Sequence, residues 1–414
     1  SKRQKIYAYL CRRGAHIVLL QETHLARGEA VKLQRRWRGK VYATETSAYA
    51  KGALIWVRPG VPMEPLEIRV DKEGRWVFLK GRLNGEEITL GSIYAPNQGQ
   101  LEFLRGISPI IGELGTERMI IGGDFNCVLN VDMDRSTPPL AQSPVNKIAK
   151  GLAQWSENWG LMDVWRLQHQ ESREFSFYSP VYDLHVRLDR MFCSNTACID
   201  VSEVEYLSRT YSDHNPQRLT LRVGQELPPV PGWRLQPAML EDPVFGEDLE
   251  TCIREYFELN GGTASNAIVE WEAFKVVLRG YCLGKTVGIR KELEKTLTGL
   301  ENRMRVFEKQ LGTKKDRGKE LEECKSEYAG LIERLRCHNH QNYIKRAHNE
   351  EGKAGRMLAR IARKEDRGEP ITSVILGNGN LGYTQKDING AFMEYYRGLY
   401  GAPRRLAEEV YDVY

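Results

Sequence analysis

A set of polar residues stands at the ends of apolar, strand-like runs in the first half of the chain. Glu22 closes "VLLQETH", Tyr94 and Asn97 close "GSIYAPN", Asp124 and Asn126 follow "MIIGG", and Asp189 lies in "RLDRMF". Ser212, Asp213 and His214 precede the run "QRLTLRV". Taken singly, each has an ordinary role: a carboxylate after a strand caps a helix or closes a turn, and a lone histidine is commonly a structural hydrogen-bonder. Together they bring acid, amide, phenol and imidazole groups to strand ends separated by tens of residues, which is what phosphodiester hydrolysis asks for.

A phosphodiester is an anion and repels hydroxide. A hard divalent cation is needed to neutralise its oxygens and the leaving alkoxide, and Mg2+ takes one or two carboxylates plus water, with Mn2+ an alternative. Glu22 is the expected ligand, with Asp213 supporting the metal's water shell. Asp124 suits the task of orienting or deprotonating the attacking water, and Asn126, two residues on, is placed to hold that water or a phosphate oxygen. His214, held by Asp189, would donate to the phosphate in the transition state. Gly122 and Gly123 are expected to let the backbone approach the phosphate.

These groups need a scaffold, and residues 1 to 223 offer one. "HIVLLQE", "GALIWV", "RWVFLKGRL", "EEITLGSIYAP", "RMIIGGDFN", "EFSFYS", "RLDRMFC" and "QRLTLRV" are strand-like in their β-branched and aromatic content. "QLEFLRGISPIIGEL" and "VNKIAKGLAQWSENWGL" carry apolar residues at helical spacing. Many strands with few helices predict an α+β layered sandwich rather than an alternating parallel sheet. Trp155, Trp159 and Trp165 read as core. Residues 224–233, "GQELPPVPGW", form a proline-rich linker. From 234 to 414 the chain reads as mainly helical. Leu293, Leu297, Leu300, Met304, Phe307 and Leu311, then Leu321, Cys324, Tyr328, Leu331 and Leu335, predict an antiparallel helical hairpin turning near Gly312 to Gly318.

Bulk composition narrows the classes. With 414 residues, 41% of them hydrophobic, two or three folded units are expected. Sixty Lys and Arg against 55 Asp and Glu give a net charge of only +5, which permits a polyanionic partner without demanding one. Eight scattered cysteines without a C-x-x-C pair read as reduced thiols. The cluster Cys324, Cys337, His338 and His340 fits no common zinc finger. No apolar run reaches about 18 residues and no signal peptide opens the chain, so no membrane association and a location in nucleus and cytoplasm are expected.

"QETH", "IYAPN", "GDFN" with "DMDRS", "EFSFYS", "RLDRMF" and "SDHNP", in this order, resemble the exonuclease–endonuclease–phosphatase superfamily, and within it the apurinic-type endonuclease of LINE (non-LTR) retrotransposons. The resemblance covers nearly all of residues 1–223. It implies a four-layer α/β-sandwich, two packed mixed sheets flanked by helices. It also implies that Glu22 is the metal ligand, that Tyr94 and Asn97 contact the scissile phosphate, that Asp124 activates water beside Asn126, and that Asp189 pairs with His214 next to Asp213. Arg135 and Ser176 match positions lining the DNA-facing surface, with Ser176 in place of a more usual threonine, and Ser212 falls in the same phosphate-binding group. The family's opening strand, ending in an asparagine that helps hold the metal, is not among these residues, and a trimmed sequence is the expected reason.

The second half resembles the connector preceding the reverse transcriptase in the same proteins, through "HNEEGKAGRMLARIARKED", "ITSVILGNGNLGYTQKDI" and "AFMEYYRGLYG". No Tyr/Phe-x-Asp-Asp polymerase signature occurs. Arg356, Arg360, Arg363 and Arg367 fall on one helical face, either a solvated face or a nucleic-acid contact, and the resemblance favours the latter. The expected function is a Mg2+-dependent endonuclease that nicks target DNA to leave a 3′-hydroxyl primer. Its expected partners are target DNA, the element's RNA and a reverse transcriptase domain of the same polyprotein. The loop "SPVYDLHV", Ser179 to Val186, would enter a DNA groove. The alternatives are a stand-alone phosphodiesterase of the same superfamily and a non-catalytic nucleic-acid-binding remnant.

Overall fold

The computed structural model describes residues 2–46, 50–137, 143–222, 235, 239–240, 242–263, 266–311 and 317–349, with backbone only from 335. Toward the end it describes 371, 373–377, 381–382 and 384–401. The chain forms two compact units, Ser1–Pro229 with Glu369–Tyr414, and Val230–Gly368. The expected linker, 224–233, lies outside the described residues, as do Arg356, Arg360, Arg363 and Arg367.

The first unit begins with α1 (Lys2–Arg12), β1 (Ile17–Gln21), α2 (Glu29–Trp37), β2 (Lys40–Ala43) and β3 (Ala53–Val57). Next come β4 (Met63–Val70), β5 (Trp76–Leu83), β6 (Glu86–Tyr94), α3 (Gln100–Leu114), β7 (Met119–Asp124), α4 (Pro144–Asn158), β8 (Leu161–Asp163) and α5 (Val164–Gln168). The hairpin β9 (Phe177–Ser179) and β10 (Leu184–Val186) precedes β11 (Asp189–Ser194), α6 (Asn195–Cys198), β12 (Val201–Tyr206) and β13 (Gln217–Leu221).

One sheet has six strands in the order β4-β5-β6-β7-β11-β8 and another three in the order β1-β3-β2; β12 pairs with β13. The six-stranded sheet is mixed, because β6 and β7 run parallel while its other pairings are antiparallel. The three-stranded sheet is antiparallel throughout. Two-residue periodicity sorts the side chains into layers. Ala53, Ile55 and Val57 of β3 pack between the sheets with Val77, Leu79, Leu90 and Ile120. Leu54 and Trp56 point the other way, onto Leu33 and Trp37 of α2. Phe78, Ile121 and Phe192 face the outer layer of α3 and α4, where Leu104, Ile111, Leu152 and Trp155 meet them. Strands buried on both faces need continuous apolar sequence, which "ALIWV" and "MII" supply. This is the four-layer α+β sandwich.

The tryptophans belong to the core: Trp155 and Trp165 are buried, and Trp155 and Trp159 both donate to Ser108 Oγ. Two expectations are corrected. Cys193 and Cys198 are joined by a disulfide, because the turn from β11 into α6 brings their Cα atoms to 5.8 Å. Gly122 and Gly123 serve strand packing rather than phosphate approach. A Cβ on Gly123, at φ +152°, would stand 1.9 Å from the Ile93 carbonyl oxygen, and one on Gly122 would stand 2.8 Å from Leu19 Cδ1.

The second unit contains α7 (Pro243–Asn260), the 43-residue α8 (Ala267–Lys309) and α9 (Arg317–Asn349). Asp242 caps α7 by accepting from Val244 N and Phe245 N, and Asn266 caps α8 by accepting from Ile268 N and Val269 N. Arg317 lies over the Phe307 ring and Arg303 pairs with Glu327 at 3.8 Å, so α8 and α9 are antiparallel, as the leucine spacing predicts. Leu297, Leu300, Met304, Leu321, Cys324 and Tyr328 are buried along this hairpin, and the burial of Cys324 accounts for it as packing. The side chains of Cys337, His338 and His340 lie outside the described residues. Near the chain's end, in the first unit's second segment, β14 (Val374–Ile375) pairs with β15 (Leu381–Gly382), followed by α10 (Gln385–Gly401). Among the described residues no helix is long and apolar enough to cross a membrane.

Candidate active site

Parallel pairing of β6 with β7 places Tyr94 beside Asp124, and antiparallel pairing of β11 with β7 places Asp189 on the other side of Asp124. Three functional groups on three neighbouring strands thus form a row at one end of the six-stranded sheet. The second sheet contributes Glu22, the residue after β1. Its Oε1 accepts from Tyr94 Oη at 2.6 Å, and its backbone is left-handed, at φ +50°. Beneath this contact Gln21 Nε2 donates to Ser92 Oγ at 3.0 Å, and Ser92 Oγ donates to the Leu20 carbonyl at 3.2 Å.

His214 arrives from the loop before β13. Its Nδ1 lies 2.7 Å from Asp189 Oδ2, and its backbone N–H donates to Ser212 Oγ at 3.1 Å. Ser212 Oγ in turn donates to Asp213 Oδ1 at 3.4 Å. The Phe177 ring rests 4.8 Å from the imidazole, and Tyr206 Oη donates to the Asp189 carbonyl at 2.6 Å.

The charges in this row act on one another. Burial pushes the Asp124 carboxyl up, and the negative charges of Asp189 and Glu22 add to it, against opposing contributions from His214 and the Asn126 N–H; the result is about 7. Burial pulls His214 down, but the hydrogen bond and charge of Asp189, with the charges of Asp124 and Asp213, raise it to about 9. Burial, the hydrogen bond to Glu22 and the charges of Glu22 and Asp124 raise the Tyr94 phenol. Near neutral pH the row therefore holds a carboxyl poised between its two forms beside a cationic imidazole.

The remaining expected residues divide. Asn126, at φ +48°, donates its backbone N–H to Asp124 Oδ1 at 2.9 Å and its side-chain Nδ2 to the Ala95 carbonyl at 2.8 Å. Asn97 is exposed on the neighbouring loop. Arg135 stands by the β9–β10 hairpin, its backbone bridged to Val186 and its Nε donating to the Thr137 carbonyl at 3.2 Å. Ser176 does not line a surface: it is fully buried, and its Oγ accepts from the N–H groups of Leu188 and Asp189 at 2.9 and 3.0 Å. A hydroxyl there fixes the start of β11, which corrects the expected DNA-facing position. "SPVYDLHV" spans the turn and second strand of the β9–β10 hairpin, with Val181 and Tyr182 strongly exposed near its tip.

Sequence reasoning missed Gln21, Ser92, Gln100, Phe177 and Tyr206, whose types carry no chemical signature and whose roles depend on contacts across strands. It also missed a buried ionic cluster. Arg187 Nε donates to Asp134 Oδ1 at 2.8 Å and its Nη2 to Asp163 Oδ2 at 2.6 Å, while Arg190 Nη2 donates to Asp134 Oδ2 at 3.0 Å. The pattern "DMDRS…LMDVWR…RLDR" was its only trace.

The family model described as "Endonuclease/Exonuclease/phosphatase family" matches residues 3–214. The chain belongs to this family. Its first unit accordingly has the fold of a phosphoester hydrolase. The chain is similar to the "Transposon TX1 uncharacterized 149 kDa protein" of Xenopus laevis, 26% identical over 326 residues that make up 77% of this chain. It spans about a quarter, 24%, of that relative's length. Among solved structures, an AP endonuclease from Archaeoglobus fulgidus matches at 17% identity and a TM-score of 0.45, over 53% of this chain and 94% of that one. The endonuclease domain of TRAS1, a telomere-specific non-LTR retrotransposon, matches at 18% identity and a TM-score of 0.41, over 54% and 94%.

Proposed function

We propose that this chain is the DNA endonuclease part of a LINE-type retrotransposon protein, nicking one strand of target DNA to leave a 3′-hydroxyl that primes reverse transcription of the element's RNA. The observation that carries the nuclease reading is the row Tyr94, Asp124, Asp189 with His214 bound to Asp189. The transposon reading rests on similarity to the TX1 protein across both halves of the chain.

Asp124, with a pKa of about 7, takes a proton from a water held against the phosphorus. The water oxygen forms the new P–O bond as the P–O3′ bond breaks, giving a 5′-phosphate and a 3′-oxygen that takes up a proton from solvent. His214 is fixed by Asp189 through Nδ1, so its Nε2–H is free to donate to a non-bridging oxygen as negative charge builds there. The Asn97 amide faces solvent beside the row and holds the phosphate in line.

The donor set fits a hard, mostly hydrated cation. Glu22 is an exposed carboxylate, Asp213 lies on the His214 side, and among the described residues no group of three or more His, Cys, Asp or Glu forms a protein cage. When bound at Glu22, Mg2+ or Mn2+ supplies neutralisation of the phosphate and leaving oxygens. The exposed Val181 and Tyr182 read target DNA, and the segment with Arg356, Arg360, Arg363 and Arg367 holds the element's RNA.

The test is nicking of supercoiled plasmid with Mg2+. Wild type relaxes the plasmid and Asp124→Ala and His214→Ala do not; equal relaxation by all three would place the activity elsewhere.

A further inference from the structure

The two loops that carry Asn97 and Asn126 are stitched together by a side chain outside the catalytic row. Gln100, the first residue of α3, is 5% exposed, and its single Nε2 donates to two backbone carbonyls, that of Asn97 at 2.8 Å and that of Asn126 at 3.1 Å. A primary amide nitrogen has two hydrogens, so both are spent on the two loops. Two further bonds join the same loops: Ala95 N donates to the Asp124 carbonyl at 2.8 Å, and Asn126 Nδ2 donates to the Ala95 carbonyl at 2.8 Å.

Each bond has a different reach. The Ala95–Asp124 bond continues the sheet and fixes the strand ends only. Past Asp124 the chain turns through Asn126 in the left-handed region, which asparagine enters more readily than most residues and in which its hydrogen bonds to Asp124 and Ala95 hold it. Gln100 accepts no role in helix capping: Gly99 occupies the N-cap without a side-chain bond, and the Gln100 amide turns inward instead. Its burial with both donors satisfied is the condition under which a buried polar group specifies one geometry.

We propose that Gln100 is a positioning residue for phosphodiester hydrolysis, its one amide nitrogen setting the spacing of the two loops that present the Asn97 and Asn126 side chains to the phosphate. The inference rests on the nuclease reading above. Removing both donors takes away the one group that joins the Asn97 and Asn126 carbonyls and frees the Asn126 turn, so phosphate alignment suffers while Asp124 and the Asp189–His214 pair keep their places on the strands.

The experiment is a double-mutant cycle in single-turnover plasmid nicking, joined to selective 15N-asparagine NMR of the whole chain without metal. Gln100→Met keeps length and bulk without donors, and Gln100→Ala, which removes the amide outright, repeats the loss should the Met variant fail to fold. Either substitution is expected to slow nicking about tenfold in the wild-type background and at most about threefold when Asn126 is already Ala, with the pH profile unchanged in shape. A purely structural glutamine would give equal losses in both backgrounds, and that result, or no loss, overturns the proposal. The Asn126 side-chain amide signal is expected to shift and broaden in the Gln100 variants. An unmoved signal overturns the proposal even if wild type fails to nick, whereas a moved signal without wild-type nicking would locate the error in the nuclease reading.

Discussion

Asp124 and Asp134 are both buried carboxylates on the same stretch of chain, ten positions apart, and their surroundings drive them in opposite directions. Asp124 has one backbone N–H, faces Asp189 across the strand pair and is pushed up to about 7. Asp134 accepts from Arg166, Arg187 and Arg190 and from the N–H groups of Leu129 and Asn130. Burial would raise it as well, but the Arg190 and Arg187 guanidiniums hold it well below the usual carboxylate range. Burial alone therefore does not tell a working acid from a structural one; the sign of the charge supplied at contact distance does. One region keeps a proton exchangeable near neutral pH, and the other locks the β7–α4 loop to β11.

Substitutions separate the two carboxylate sites. The largest effect is expected at His214: His214→Ala removes the charge-assisted donor and lowers the single-turnover nicking rate by about a thousandfold, while urea unfolding moves little. In the ionic cluster the pattern reverses. Arg187→Met leaves Asp134 and Asp163 sharing fewer cations in a dry site and is expected to cost about 3–5 kcal/mol in urea unfolding. A loss below about 1 kcal/mol would show that the cluster is not the tie described here.

The pH dependence sharpens the same contrast. Asp124 must be ionised to accept a proton and His214 protonated to donate one, so nicking rises through about pH 7 and falls through about pH 9. The rate at pH 6 is expected about tenfold below its maximum, and a flat profile between pH 6 and 8 would remove Asp124 as the base. Asp134 acts on stability instead. Its folded-state value lies below its unfolded one, so the unfolded chain binds the proton more readily. The resulting stabilisation is fully present above about pH 4 and is lost as pH falls below it. Urea midpoints at pH 5 and pH 3 should separate for wild type and converge in Asp134→Asn, the smallest effect of the four.

Much of this was legible in the chain's order of residues. The strand-end carboxylates, the layered α+β sandwich and the α8–α9 hairpin follow from residue type and periodicity, because each is a local pattern or a recurrence of one, whereas the pairing of His214 with Asp189 was what the family resemblance implied. What escaped depends on register. Gly123 is glycine because β6 passes within contact of where its Cβ would be, and Ser176 is buried because β9 folds back over the start of β11. The Cys193–Cys198 disulfide needs the turn into α6, which spacing alone does not announce. Gln100 lacked any sequence signal and Arg187 left only the charged pattern around it, since an ordinary glutamine at a helix start and an arginine before a strand acquire their roles from partners on other elements.

The chemistry of the nicked ends decides whether Asp124 activates water to release a 3′-hydroxyl. Supercoiled plasmid is incubated with Mg2+ and either wild type or Asp124→Asn, then offered to a DNA polymerase with labelled nucleotides and no end treatment. Label is expected in the nicked circle from wild type, through a free 3′-hydroxyl, and none from Asp124→Asn although that variant remains folded. Nicked product that the polymerase cannot extend, or equal labelling by both proteins, would contradict it.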